Sequence, residues 1–219
     1  MRAAQSLATV PAKGATFALS AATPEIMWAA ILAVSENGAP FSIADAVQAA
    51  TAIPMGNVSC IVTAGAMDSY VHLLIQARVA SYAGIGVDRT KLYTIIKPRH
   101  LPHFLDGAGN VCPRYQVMDL MWRAMKMLKS FNVRELALQS TLPGVLTVSE
   151  AIAETYVSHL IEAGYLRRVN KYGTSPVYGL APGMATGPVP PRIMTGRLVY
   201  DPNRRSVVND VIHVDEVPL

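Results

Sequence analysis

Glu154-Thr155-Tyr156-Val157-Ser158-His159-Leu160-Ile161-Glu162-Ala163 decides the fold, because an earlier stretch carries the same pattern. Asp68-Ser69-Tyr70-Val71-His72-Leu73-Leu74-Ile75-Gln76-Ala77 sets an acid, a hydroxyl, Tyr-Val, Leu-Ile and Ala in the same order. Working outward, Phe131-Asn132-Val133-Arg134-Glu135-Leu136 echoes Phe41-Ser42-Ile43-Ala44-Asp45-Ala46, and Met121-Trp122 echoes Met27-Trp28. Matched landmarks in one order mark a duplicated supersecondary unit.

Periodicity resolves that unit into elements. In the second copy Val117, Leu120, Met121, Ala124, Met125 and Leu128 recur at helical spacing, with Arg123, Lys126 and Lys129 mostly on other faces. Asn132 is placed to cap a second helix, with Glu135 reaching back to it; Ser42 and Asp45 are placed to do the same in the first copy. Thr147-Val148-Ser149-Glu150 opens a third helix with Ile152, Tyr156, Val157, Leu160 and Ile161 facing inward, and Gly164 suits its C-cap. Strands over 165–169 and 176–180 around a polar turn predict a hairpin. The first copy predicts another, from Val79–Ala83 and Lys91–Ile96 around a turn at Gly84–Thr90, with Tyr93 and Tyr178 in matching places. The first copy holds about eight more residues between its Trp and Tyr, and carries Arg78 where the second has Gly164.

Three helices followed by a hairpin is the order of a winged helix. The run Tyr156-Val157-x-x-Leu160-Ile161-x-Ala163-Gly164-Tyr165-Leu166-Arg167-Arg168 resembles the third helix and first wing strand of winged-helix regulators, including the MarR-like group. The resemblance implies a mainly α, α+β chain with two tandem winged-helix domains of three helices plus a β-hairpin each. The expected organisation is an N-terminal arm at 1–23, a first domain at 24–97, a linker at 98–113, a second domain at 114–181 and an extended Pro/Gly-rich tail at 182–219.

Winged helices place helix 3 in the major groove of duplex DNA, which admits a helix and displays readable base edges, while the wing touches phosphate. Carried onto this chain, the resemblance makes Ser149, Thr155, Ser158 and His159 donors to bases or phosphates. Arg167, Arg168, Lys171 and Tyr172 of the wing, with Lys129 and Arg134, become backbone contacts. The first copy offers Ser69 and His72, with Arg89 and Lys91 in its wing. Glu150, Glu154 and Glu162 share the outward face of the second copy's helix 3 and repel phosphate. Tyr70, Tyr156 and the Met residues of the first helices read as core filler, and Arg123 and Lys126 as a solvated face.

Composition sets the outer limits. Of 219 residues, 51% are hydrophobic and 16% charged, enough apolar matter for real cores. Net charge is +4: residues 113–180 carry eight basic against five acidic side chains, whereas 24–100 balance at five each. A polyanion should therefore lean on the second copy. The longest uncharged stretch, 46–67, is broken by Pro54 and Gly56 and makes a poor membrane span. Cys60 and Cys112 sit in unrelated contexts, as free thiols of a cytoplasmic protein do. His100-x-x-His103 beside Cys112 lacks a fourth metal ligand, the Gly-x-Gly runs lack a phosphate-loop context, and no nucleophile motif is present. The expectation is a non-enzymatic DNA-binding regulator of bacterial or phage type, with no cofactor and no membrane partner. Self-association as a homodimer and a protein partner on the tail accompany that reading. A winged-helix adaptor for protein partners, or a replication or partition protein on the same scaffold, are the alternatives.

Overall fold

Proline opens the first helix of each copy. Pro24 begins α1 (Pro24–Val34) and Pro113 begins α4 (Pro113–Leu128), positions where a missing N–H loses no hydrogen bond. The computed structural model describes residues 16–19, 22–54, 58–170, 175–197, 200–201, 206–207 and 211–216. Within them the chain is mixed α and β, with six α-helices and small sheets.

Local chemistry starts and stops the remaining helices. At α2 (Ile43–Ala50), Ser42 Oγ accepts from Asp45 N at 3.2 Å and the Asp45 carboxylate accepts from Ser42 N at 3.0 Å. Ser42 Oγ also donates to the Asp45 carboxylate at 2.7 Å, and that bond first, with the Ser42 N–H second, holds the carboxyl below its usual range. At α5 (Val133–Gln139) Asn132 accepts from Glu135 N at 2.8 Å, but the return bond expected from Glu135 is not made. Thr63 and Ser149 cap α3 (Ala64–Gln76) and α6 (Glu150–Glu162). After α6 the chain turns on Gly164 at φ +76°, and Tyr165 N donates to Leu160 O. Arg78 adopts the same left-handed backbone after α3, at φ +56°, with Val79 N donating to Leu74 O. The residue that differs between the copies thus performs the same turn, at a steric cost glycine avoids.

Each trio of helices leads into a hairpin: β4 (Ala80–Ile85) with β5 (Lys91–Ile95), and β6 (Leu166–Arg168) with β7 (Tyr178–Leu180). β4 runs two residues past the expected Ala83, through a bulge between Tyr82 and Gly84. The repeated Phe pairs with a hairpin Tyr in each copy, as a third strand in the first and as a single bridge in the second. Phe41, in β2 (Phe41–Ser42), lies opposite Tyr93, and Phe131 exchanges two backbone bonds with Tyr178. Gly179 is required by close approach, since a Cβ there would meet Lys129 O at 2.8 Å.

Two separate cores follow from the matched positions. Met27, Trp28, Ile31, Phe41, Tyr70 and Leu74 fill the first. Met121, Trp122, Met125, Phe131, Tyr156 and Leu160 fill the second. Burying each such large side chain contributes about 1.5–3 kcal/mol.

Trp and Tyr do more than fill. Trp28 Nε1 donates to Arg99 O at 2.9 Å and Tyr70 Oη to His103 O at 2.9 Å. In the second lobe Trp122 Nε1 donates to Gly187 O at 2.9 Å and Tyr156 Oη to Pro191 O at 2.8 Å. In both lobes the two acceptors stand four residues apart in the segment that follows the hairpin. The stretches read as linker and tail are therefore one repeated element, a strap clasped by an indole and a phenol. Burial, the largest influence, pushes the Tyr70 and Tyr156 hydroxyls far above the ordinary tyrosine range.

The flanking segments expected as a loose arm and an extended tail meet in a sheet. Its strand order is β3 (Val58–Ser59), β1 (Thr16–Leu19), β11 (Val211–Glu216), β8 (Met194–Arg197), with β1 parallel to both neighbours and β8 antiparallel to β11. β3 lies in the longer helix connection of the first copy, so the extra residues serve this sheet. β9 (Tyr200–Asp201) pairs antiparallel with β10 (Ser206–Val207), within the stretch expected as extended tail.

Nothing lies within 4 Å of a Cβ built on Gly164, so Gly164→Ala should cost only backbone strain, about 1 kcal/mol. Arg78→Gly should change stability in the opposite direction, by up to about 1 kcal/mol. Urea midpoints check both, and equal signs would contradict a shared left-handed cap. Tyr156→Phe should cost about 1 kcal/mol by leaving Pro191 O without its donor.

Candidate nucleic-acid interface

The side chains of α6 that do not enter the core form a continuous exposed face. Thr155, Ser158, His159 and the three glutamates Glu150, Glu154 and Glu162 are exposed, while Ala153, Tyr156, Val157 and Leu160 are buried. Ser149 is occupied as the cap, accepting from Ile152 N at 3.3 Å, and Thr155 Oγ1 donates to Ala151 O at 2.9 Å. Ser158 has no side-chain partner among the described residues. His159 Nδ1 lies 3.7 Å from Glu162 Oε2 and Arg134 Nε lies 3.8 Å from Glu150 Oε1, so one of the acids has an imidazole beside it and another a guanidinium. Both pairs are exposed and worth under about 1 kcal/mol, leaving His159 and Arg134 available to another anion.

The second hairpin stands beside that face. Arg167 and Arg168 are exposed on β6, paired across the ladder with Gly179 and Tyr178. Arg168 Nε donates to Asn170 Oδ1 at 3.1 Å, and Asn170 Oδ1 also accepts from Val177 N, which ties the arginine to the turn. Arg167 meets no carboxylate among the described residues. Lys171 and Tyr172 lie outside the described residues. Lys129 is exposed at the end of α4, in a left-handed backbone at φ +58°, with its carbonyl against Gly179. Arg167, Arg168 and Lys129 are thus brought to neighbouring elements of one lobe, whereas Arg134 reaches the start of α6.

Of the two residues read as a solvated face, Arg123 is ion-paired with Asp119 at 2.7 Å. Lys126 is not solvated in the simple sense. Its Nζ donates to Gly187 O at 3.2 Å and lies 5.4 Å from the Trp122 ring centroid, so it secures the strap.

The first lobe presents a different surface. Ser69 is exposed on α3, and His72 Nδ1 lies 2.9 Å from Asp68 O and 3.5 Å from the Asp68 carboxylate. Lys91 begins β5, and Arg89 sits at the hairpin tip at φ +61°, its N–H donating to Gly86 O. Beside these cations the hairpin exposes Tyr82, Ile85 and Val87, the last without any shielding at 104% relative exposure. The two hairpins therefore differ in kind: one apolar with a cationic tip, the other cationic along its strand.

Sequence reasoning missed Arg192. It follows the clasped Pro191 and reaches across to Glu25 in α1 at 2.9 Å, with its guanidinium 5.7 Å from the Phe104 ring centroid. Phe104 in turn stacks on Tyr115 of α4 at 3.6 Å. An arginine in a proline-rich stretch carries no periodic signal, and only its cross-chain partner reveals it. A small cavity of about 170 Å³ lies along this seam, lined by Pro24, Phe104, Tyr115, Met118 and Arg192.

His100, His103 and Cys112 do not assemble a metal site, and no group of three ligating side chains occurs among the described residues. His103 packs edge-on to Trp28, with ring centroids 4.7 Å apart, and its Nε2 is buried without a hydrogen-bond partner. Burial first, and the Arg99 charge second, lower its pKa from 6.5 to about 4. No helix among the described residues is long and apolar enough to cross a membrane.

The His103 shift has a definite sign. The unfolded chain takes up the proton first, so stability is full above pH 6.5 and falls as the pH drops towards 4. His103→Gln should flatten that part of the curve, which melting followed by tryptophan fluorescence across pH 4–7 would show; an unchanged slope would contradict the assignment. No protein-family model matches the chain, and no curated protein matches it.

Proposed function

We propose that the chain is a sequence-specific, non-enzymatic double-stranded DNA-binding protein, a transcriptional regulator of bacterial or phage type whose two lobes are winged helices. One observation carries the reading: in the second lobe an exposed polar helix face leads into a hairpin whose exposed Arg167 and Arg168 pair with no carboxylate among the described residues. Exposed, clustered cations on a projecting ribbon have few structural uses, and phosphate is their natural counter-charge. Ser158 and His159 would touch base edges from the groove, while Arg167, Arg168 and Lys129 would hold the backbone. The glutamates of α6 limit how deeply the helix enters; they suit contact with cytosine amino groups rather than with phosphate.

The second reading, an adaptor for protein partners, is favoured by one specific feature. Leu138 and Val145 are exposed at 72% and 74%, close to the α5–α6 connection, and Tyr82, Ile85 and Val87 are exposed on the first hairpin. Exposed apolar side chains of this kind, as on the first hairpin, suit contact with protein.

Salt separates the two. A protein holding about five phosphates should lose DNA affinity with a log–log slope near −4 to −5, read from gel-shift titrations on random and genomic fragments. Arg167→Ala with Arg168→Ala should weaken all duplexes alike and reduce the slope by about 2, whereas Ser158→Ala should change sequence preference. Absence of any shift at micromolar protein and low salt would favour the adaptor.

A further inference from the structure

We infer, resting on the DNA-binding reading, that the chain is a covalent pseudo-dimer whose two lobes meet about an approximate dyad, so that a single chain reads two unlike half-sites on one duplex. The warrant is the strap. Its clasped carbonyls set an equivalence between the lobes: Arg99 with Gly187, His103 with Pro191, and hence Phe104 with Arg192. Those last two residues touch one another, the guanidinium lying 5.7 Å from the ring centroid. A position that contacts its own equivalent is the mark of an isologous interface.

The surrounding contacts correspond by element, not residue by residue: with Trp28 matched to Trp122, Tyr115 answers to Ala21 and Glu25 to Asp119. Phe104, on the first lobe's strap, stacks on Tyr115 in the first turn of α4. Arg192, on the second lobe's strap, pairs with Glu25 in the first turn of α1. Each strap therefore bears on the opening of the other lobe's first helix. Arg192 is the positioning residue of this seam: its side chain is only 16% exposed and it holds both Glu25 and the Phe104 ring.

A dyad in the scaffold does not make the reading surfaces alike. Matching α3 to α6 through Tyr70 and Tyr156 sets Ser69 against Thr155, His72 against Ser158 and Gln76 against Glu162. None of these pairs is conserved in type beyond a hydroxyl. The target is therefore a site with paired geometry and unlike halves, spaced as two-fold proteins space theirs, about one helical turn of 10–10.5 bp apart. Because the lobes are tethered, binding of the second half-site is intramolecular and a second chain is not needed.

The test uses the full chain. Duplexes are selected from a random pool, and native mass spectrometry gives the stoichiometry on the selected site. One chain per duplex and two unlike half-sites are expected. A half-turn insertion between them should lose roughly a hundredfold in affinity. Ser69→Ala should then relax preference in one half only and Ser158→Ala in the other, while Arg192→Met should let the chain tolerate altered spacing. Two chains on identical inverted halves, or a single half-site insensitive to Ser69→Ala, would overturn the proposal. The seam is tested without DNA by spin labels at Gln76→Cys and Glu162→Cys, with Cys60 and Cys112 replaced by serine. One narrow distance distribution, broadened by Arg192→Met, is expected; a broad distribution in the parent would overturn the dyad. A narrow distribution with no shift on any duplex would remove the DNA reading, and the half-site claim with it, while sustaining the seam.

Discussion

A buried indole N–H and a buried phenol O–H each need an acceptor, and leaving either unpaired costs more than the hydrogen bond itself contributes. That demand organises the molecule. Trp28 and Tyr70 reach the surface of the first core only at their polar tips, and Trp122 and Tyr156 do so in the second. Each pair meets the need by drawing down the segment after the hairpin, which therefore packs against the core instead of wandering as a linker or a tail. Once the straps are pinned, the residues after them are no longer free to choose their neighbours. Phe104 and Arg192 are carried to the junction between the lobes, and the path into α4 follows.

The same constraint explains how two lobes with separate cores become associated. Neither core shares a buried residue with the other. What joins them is a thin seam: an aromatic stack, a cation over a ring and a partly buried Arg192–Glu25 pair. The terminal sheet adds a second tie, since β1 lies just before α1 of the first lobe and β8 just after the second lobe's strap. Arg192 takes part in two of the three seam contacts, holding Glu25 and lying over the Phe104 ring.

The repeated cores were readable from the pattern of residues, because helical spacing, capping pairs and a polar turn are local signals. Ser42 with Asp45 and Gly164 behave as neighbours in sequence require, Asn132 caps its helix without the return bond from Glu135, and the matched Phe and Tyr of the hairpins face each other in both copies. Exposure of Arg167, Arg168, Ser158 and His159 was also legible, since each lies off the apolar stripe of its element. Less legible were the partners that alter what such residues can do. Lys126 was a solvated lysine by spacing, yet it serves Gly187 O; Arg134 was read by charge alone, and its neighbour Glu150 is seen only in the fold.

By itself, then, the order of residues determined two lobes of three helices and a hairpin, because each element is specified by side chains a few positions apart. Tertiary structure alone decided the straps, the terminal sheet and the seam. The straps depend on hydrogen bonds spanning 33 to 71 residues, the seam on an ion pair spanning 167, and the sheet on pairing Thr16 with Val211, far apart in the chain. No periodicity records such distances, and only the unmet polar tips of buried Trp and Tyr hold a trace of them.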